Sequence, residues 1–105
     1  MAVEHHKKQQ GTYKVSESKR YQANPLVSYG EEEDGAVLFN PDTDDTVIVN
    51  ITGRILWNLL KTPHTVEELS EHLKEKYQNI SIEQVTEDVT QFVQALTPDF
   101  LSEAD

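Results

Sequence analysis

Two capping signatures fix where the second half of this chain can begin a helix. Thr65-Val66-Glu67-Glu68 and Ser81-Ile82-Glu83-Gln84 each set a hydroxyl residue three positions before a Glu or Gln, the spacing at which the two side chains can satisfy the first backbone amides of a helix. After the first signature, Val66, Leu69, Leu73 and Tyr77 recur at helical spacing; after the second, Ile82, Val85, Val89, Phe92, Val93 and Leu96 do so. Such spacing gathers the apolar residues on one face. A third stripe, Ile55, Leu56, Leu59 and Leu60, lies within residues 52–61, with Thr52 or Asn50 available as N-cap and Pro63 as the stop. Pro98 ends the last helix and leaves Phe100-Leu101 to fold back over the core.

The first half reads differently. Residues 36–40 (AVLFN) and 46–50 (TVIVN) are short β-rich runs, and Pro41-Asp42-Thr43-Asp44-Asp45 between them is a turn able to close a hairpin. In the second run Val47, Val49 and Ile51 share one face and Thr46, Ile48 and Asn50 the other. Ile48 therefore needs cover, either from this chain or from something outside it. Residues 21–29 (YQANPLVSY) read as a further strand, at an edge or bulged because Pro25 offers no amide to a ladder. Glu31-Glu32-Glu33-Asp34-Gly35 is a charged connection, read as a solvated loop. Residues 1–20 have no sustained periodicity and read as a polar tail, and residues 102–105 as a second short tail. The expected fold class is α+β and winged helix-turn-helix-like: a three-stranded antiparallel sheet followed by three helices, in one domain over residues 21–101.

Charge narrows the function. The 105 residues carry 9 Lys and Arg against 19 Asp and Glu, a formal net charge of −10. Lys7, Lys8, Lys14, Lys19 and Arg20 lie near the start, and no Lys or Arg follows Lys76. Nucleic-acid affinity comes largely from cations displacing phosphate counterions. A winged helix reading DNA would need basic or amide residues on its recognition helix, whereas the polar side of the third helix, after Ser81, offers Glu83, Glu87, Asp88, Gln91 and Gln94 and no cation. No nucleic-acid partner is expected. No run approaches the ~20 apolar residues of a membrane span, the start lacks a secretory signal, and the cytoplasm is the expected compartment.

The residues of catalysis are equally sparse. There is no Cys, which removes thiolate nucleophiles, thiolate metal sites and disulfides together. The four glycines, Gly11, Gly30, Gly35 and Gly53, are isolated and make no phosphate loop. His64 and His72 have no recognisable catalytic partner, and the His5-His6 pair has no third ligand at a usable spacing. Asp42 and Asp44 alternate as in a calcium loop, but Val47 stands where the turn glycine belongs and no distal Glu follows. Trp57 reads as core or rim of the first helix. No enzyme activity, metal or cofactor is expected.

In joint order, the strand around Val37-Leu38-Phe39, the join from Val47–Asn50 through Thr52-Gly53 to Ile55–Leu60, the helix Thr65–Tyr77 and the stretch Val85–Leu101 resemble the PqqD-like family. These are the recognition elements of pathways that modify ribosomally synthesised peptides. The resemblance spans roughly residues 21–101. It implies a non-catalytic binder that holds the leader of a precursor peptide as an extra strand on its third β-strand, in a cleft walled by the third helix. The peptide's core would then be presented to a modifying enzyme such as a radical SAM protein, a cyclodehydratase or a protease. The residues expected to bind peptide are Thr46, Val47, Ile48, Val49 and Asn50 on the strand and Val85, Asp88, Val89 and Phe92 on the helix. That helix's core stripe is flanked by Thr86 and Thr90 on one side and by Asp88 and Ala95 on the other, and either flank could border the cleft. An edge strand's unpaired amides and carbonyls are a template for an incoming strand. A leader bearing Lys or Arg would complement the acidic body. A generic protein-protein adaptor is the alternative, with a DNA-binding winged helix behind it.

Overall fold

The strand-turn-strand pattern of residues 36–50 holds. A computed structural model describes residues 3–6 and 13–104. In chain order it contains β1 (Val3–His6), β2 (Arg20–Ala23), β3 (Ser28–Glu32), β4 (Gly35–Asn40), β5 (Asp45–Asn50), α1 (Ile51–Leu59), β6 (His64–Thr65), α2 (Val66–Lys76), α3 (Ile82–Leu96) and β7 (Leu101–Ala104). The architecture is α+β and antiparallel, with three helices among the described residues. It departs from a single sheet followed by helices, because the strands form two sheets, ordered β1-β5-β4-β3 and β6-β2-β7.

Alternation organises the larger sheet. Ala36 pairs with Val49 and Leu38 with Val47, and all four are buried. α1 packs on β4 and β5 and contributes Leu56 and Trp57, with Leu60 at its C-terminal cap, to the same core. Ile51, expected to share a face with Val47 and Val49, instead opens α1 and is exposed. The cause is its neighbour: the Asn50 side chain accepts from the Gly53 amide at 3.0 Å, capping the helix one residue before the strand pattern would run out.

α2 begins as its signature requires. The Thr65 hydroxyl accepts from the Glu68 amide at 3.1 Å, and Glu68 accepts from the Thr65 amide at 2.9 Å. This backbone donor is the chief reason the Glu68 carboxyl is held below the ordinary glutamate value. α3 is capped on one arm only: Ser81 accepts from the Gln84 amide, but the Gln84 side chain turns along the helix to donate to Asp88. α2 and α3 pack side by side, with Leu69, Leu73, Val85, Val89, Phe92, Val93 and Leu96 buried.

The second sheet has no counterpart among the sequence expectations. The stretch 21–29 splits into β2 and β3, which join different sheets. The Asn24 side chain accepts from the Leu26 amide at 2.9 Å and turns the chain through Pro25. β2 then runs along β7, from Arg20 opposite Ala104 to Ala23 opposite Leu101, so residues 102–104 are strand rather than tail. Tyr21, Phe100 and Leu101 are wholly buried. Asp99 anchors the return: its carbonyl accepts from the side-chain amides of Asn40 at 2.7 Å and Asn24 at 3.1 Å. The Thr97-Pro98 peptide preceding it is cis.

A polar cluster closes the open end of this sheet. The Tyr13 hydroxyl donates to Glu103 at 2.6 Å and lies 2.9 Å from the Tyr21 hydroxyl, which accepts from the Ser16 amide. Lys19 stands 3.3 Å from Glu103. Burial, then the bonds to Glu103 and Tyr21, push the Tyr13 phenol up. The Tyr13 hydrogen bond, with Lys19 behind it, holds the Glu103 carboxyl below the ordinary glutamate value.

Two measurements test this packing. Phe92→Ala should cost about 3–5 kcal/mol of unfolding free energy in a denaturant titration; a loss below about 1 kcal/mol would place the ring outside the core. A carboxyl held low in the folded state stabilises above its unfolded value and loses that contribution as pH falls through its folded value. Glu103→Gln should therefore lower the thermal midpoint at neutral pH, and the difference from the parent should shrink below the ordinary glutamate value of 4.5 and vanish as pH falls through the lowered folded value.

Candidate functional site

β5, which lies between β4 and the short strand β1, carries an exposed apolar side chain. Its burial alternates along the strand: Val47 and Val49 are inside, Ile48 is 39% exposed, and Thr46 and Asn50 are half-buried. On the same outer face Val37 lies opposite Ile48 and Phe39 opposite Thr46, both half-buried. Fixing Val47 and Val49 in the core forces Ile48 outward, since one residue of slip would exchange the two faces.

The far end of the site is built by the helices. Thr52 in the first turn of α1, Leu73 and Tyr77 at the end of α2, Ile80 in the following loop, and Val85 and Asp88 on α3 line a hollow of about 80 Å3. It adjoins the strand through the chain itself, because Asn50 leads directly into α1. Ile80 is 38% exposed at its wall; Ile51 next to Thr52 and Ile82 at the start of α3 are exposed at 43% and 41%. Together with Ile48 they make up four of the five large apolar side chains exposed among the described residues. Apolar exposure concentrated on one region marks a contact surface.

The expected site residues divide along these lines. The backbone of Thr46–Asn50 and the Ile48 side chain stand at the surface of the strand, while Val85 and Asp88 meet at the hollow. Val89 and Phe92 are wholly buried in the α2–α3 core, and Val47 and Val49 in the sheet core; these four offer a partner no side-chain surface. Of the two flanks of α3, the one bearing Asp88 borders the hollow. Sequence reasoning did not single out Ile51, Ile80 or Ile82 as surface. Ile51 and Ile80 stand at element boundaries, while Ile82, which helical spacing assigned to the core stripe, is instead exposed at the first position of α3.

The strand edge itself is not bare. β1 lies antiparallel along β5, with Val3 opposite Val49, His5 opposite Ile48 and His6 opposite Val47. The segment read as a polar tail thus contributes a strand to the sheet. The His5 and His6 side chains, considered above as metal ligands, lie outside the described residues. Among those described, no group of three or more His, Asp or Glu is placed to hold a metal ion. His64 and His72 meet edge to face at 5.7 Å, and His64 Nδ1 is 2.8 Å from the Thr62 carbonyl. No helix among the described residues is long and apolar enough to cross a membrane.

Two contacts hold β4 and β5 in place from outside the core. Arg54 on α1 donates to the Glu32 and Gly35 carbonyls at 2.6 and 3.3 Å, pinning the β3–β4 turn. The acidic run read as a loop is thus split: Glu31 and Glu32 end β3, Glu33-Asp34 turn, and Gly35 opens β4. Gly35 has φ +156°, and a Cβ built there would lie within 1.9 Å of the Val49 carbonyl oxygen. Backbone cannot yield as a flexible side chain would. Gly35→Ala should therefore cost more than about 2 kcal/mol and should speed amide exchange across residues 45–50; an unchanged β5 would mean that the close approach is not required.

The family model described as coenzyme PQQ synthesis protein D (PqqD) matches residues 35–98, well over half of the chain. No curated protein and no solved structure matches it.

Proposed function

Since the chain belongs to the PqqD family, we propose that it binds the leader of a ribosomally synthesised precursor peptide by strand addition to β5, without catalysis of its own, and presents that peptide to a modifying enzyme. The observation that carries this reading is the pairing of β5 with an added antiparallel strand along Val47–Val49. That edge accepts an extended segment, and an edge recognises backbone irrespective of what supplies it.

The surroundings supply selectivity. Ile48 gives alternate side chains of the incoming strand an apolar contact, and the hollow beyond Asn50 takes a further apolar residue beside Asp88. Val85 contributes to the hollow's wall. Val89 and Phe92 act from beneath, by holding α3 at its distance from the sheet. The chain's net charge of −10 favours a leader with Lys or Arg near its docking segment and speeds its encounter. A few ladder bonds at ~1 kcal/mol each and two or three apolar anchors amount to roughly micromolar or tighter binding after ordering costs. The modifying enzyme belongs to the classes that the family serves: a radical SAM protein, a cyclodehydratase or a protease.

The decisive experiment is a fluorescence-anisotropy titration against the labelled leader of the precursor peptide encoded beside this chain. Saturable binding at micromolar concentration or below is expected, with none for a scrambled leader. Ile48→Asp should abolish it while leaving the denaturation midpoint close to the parent's, and added salt should weaken it. A leader that fails to bind at high protein concentration would leave the adaptor reading in its place.

A further inference from the structure

A strand's backbone groups point alternately to its two sides, so each edge serves one partner at a time. On one side β5 is taken by β4, in unbroken register from Gly35 opposite Asn50 to Asn40 opposite Asp45. On the other, β1 covers Val47, Ile48 and Val49, the middle of the edge that the proposed peptide needs. We propose that β1 is an internal stand-in for the incoming peptide: a strand of the chain's own that occupies the docking edge and must be displaced before a leader can pair there. This inference rests on the peptide-binding reading above.

Three observations make β1 a competitor rather than a permanent member of the sheet. It is four residues long, shorter than β3, β4 or β5. Its register slips between Val3 and His5, which interrupts the ladder where a fixed strand would continue it. Finally, its tether is anchored: Tyr13 is held by Glu103 and Tyr21. A chain of n residues spans at most about 3.3–3.6 Å × n, so a displaced β1 stays within tens of ångströms of the edge. It would therefore return to the edge as soon as the peptide leaves.

The sequence of the segment fits that role. Two lysines, Lys7 and Lys8, follow β1 directly, in a chain whose balance is strongly acidic. An extended strand next to cations is the chemistry expected of the peptide itself. The consequence for binding is quantitative. Apparent affinity falls by the fraction of molecules whose edge is open, so a β1 paired nine-tenths of the time weakens leader binding about tenfold. In exchange, the edge is covered against pairing with a second copy.

The test uses two variants: the full chain with Val3→Pro and His5→Pro, which removes ladder donors from β1, and a chain lacking residues 1–12. The first readout needs no leader. Amide exchange over residues 45–50 should speed up in both variants, and a synthetic peptide of residues 1–12 should slow it again. The second readout is leader affinity, which should rise about tenfold in both. Unchanged exchange would show that β1 does not hold the edge and would overturn the proposal. So would faster exchange with equal or weaker leader binding, since β1 would then be no competitor. A leader that binds no form, while exchange responds as expected, would instead overturn the peptide-binding reading and this inference with it.

Discussion

The side-to-side alternation of β5 is the constraint on which the rest depends. Val47 and Val49 are locked opposite Leu38 and Ala36 beneath α1, and that burial sets the register of the hairpin, the outward aim of Ile48 and the point at which strand gives way to helix. A slip of one residue would put Ile48 in the core and two valines in solvent. The Gly35 backbone against Val49, the Arg54 clamp on the β3–β4 turn and the Asn50 cap on α1 act from different directions on the same short strand. These contacts constrain β5 from three directions, while β1 lies along its remaining edge.

What could be read from the sequence follows the range of the interaction concerned. The capping box at Thr65 and Glu68, the Asn50 cap, the stop at Pro98 and the α2 and α3 stripes all involve residues within one or two helical turns, and all are visible as local spacing. The β6-β2-β7 sheet was not visible. Its main pairing joins Arg20–Ala23 to Leu101–Ala104 across most of the chain, and Ser102 and Glu103 carry no apolar alternation to announce a strand. The turn at Asn24 that divides β2 from β3 depends on one side-chain hydrogen bond, which residue type permits but does not dictate.

The candidate site was legible in one half. Period-two alternation isolates Ile48 as an apolar residue lacking a partner, and the structure leaves it exposed. On α3, Val85, Val89 and Phe92 belong to one stripe, and a single stripe cannot fill the core and face a cleft along its whole length. The first turn of the helix reaches the hollow, while Val89 and Phe92 are sealed beneath α2. Which end of a buried stripe surfaces depends on how far the neighbouring helix extends, and that is a property of the pair. β1 escaped notice for a related reason: four residues in a polar segment have no periodicity of their own, and they become a strand only where β5 offers them a ladder.

The β2–β7 pairing also has a bearing on the order of assembly. The β4–β5 hairpin and the α2–α3 pair close over short loops and can form early, whereas contacts between distant parts of a chain form slowly. During synthesis β2 can meet only the two-residue β6 until Leu101–Ala104 have been made. β5 can therefore take shape before the second sheet is complete, and the nascent chain has its central hairpin before it has a finished core.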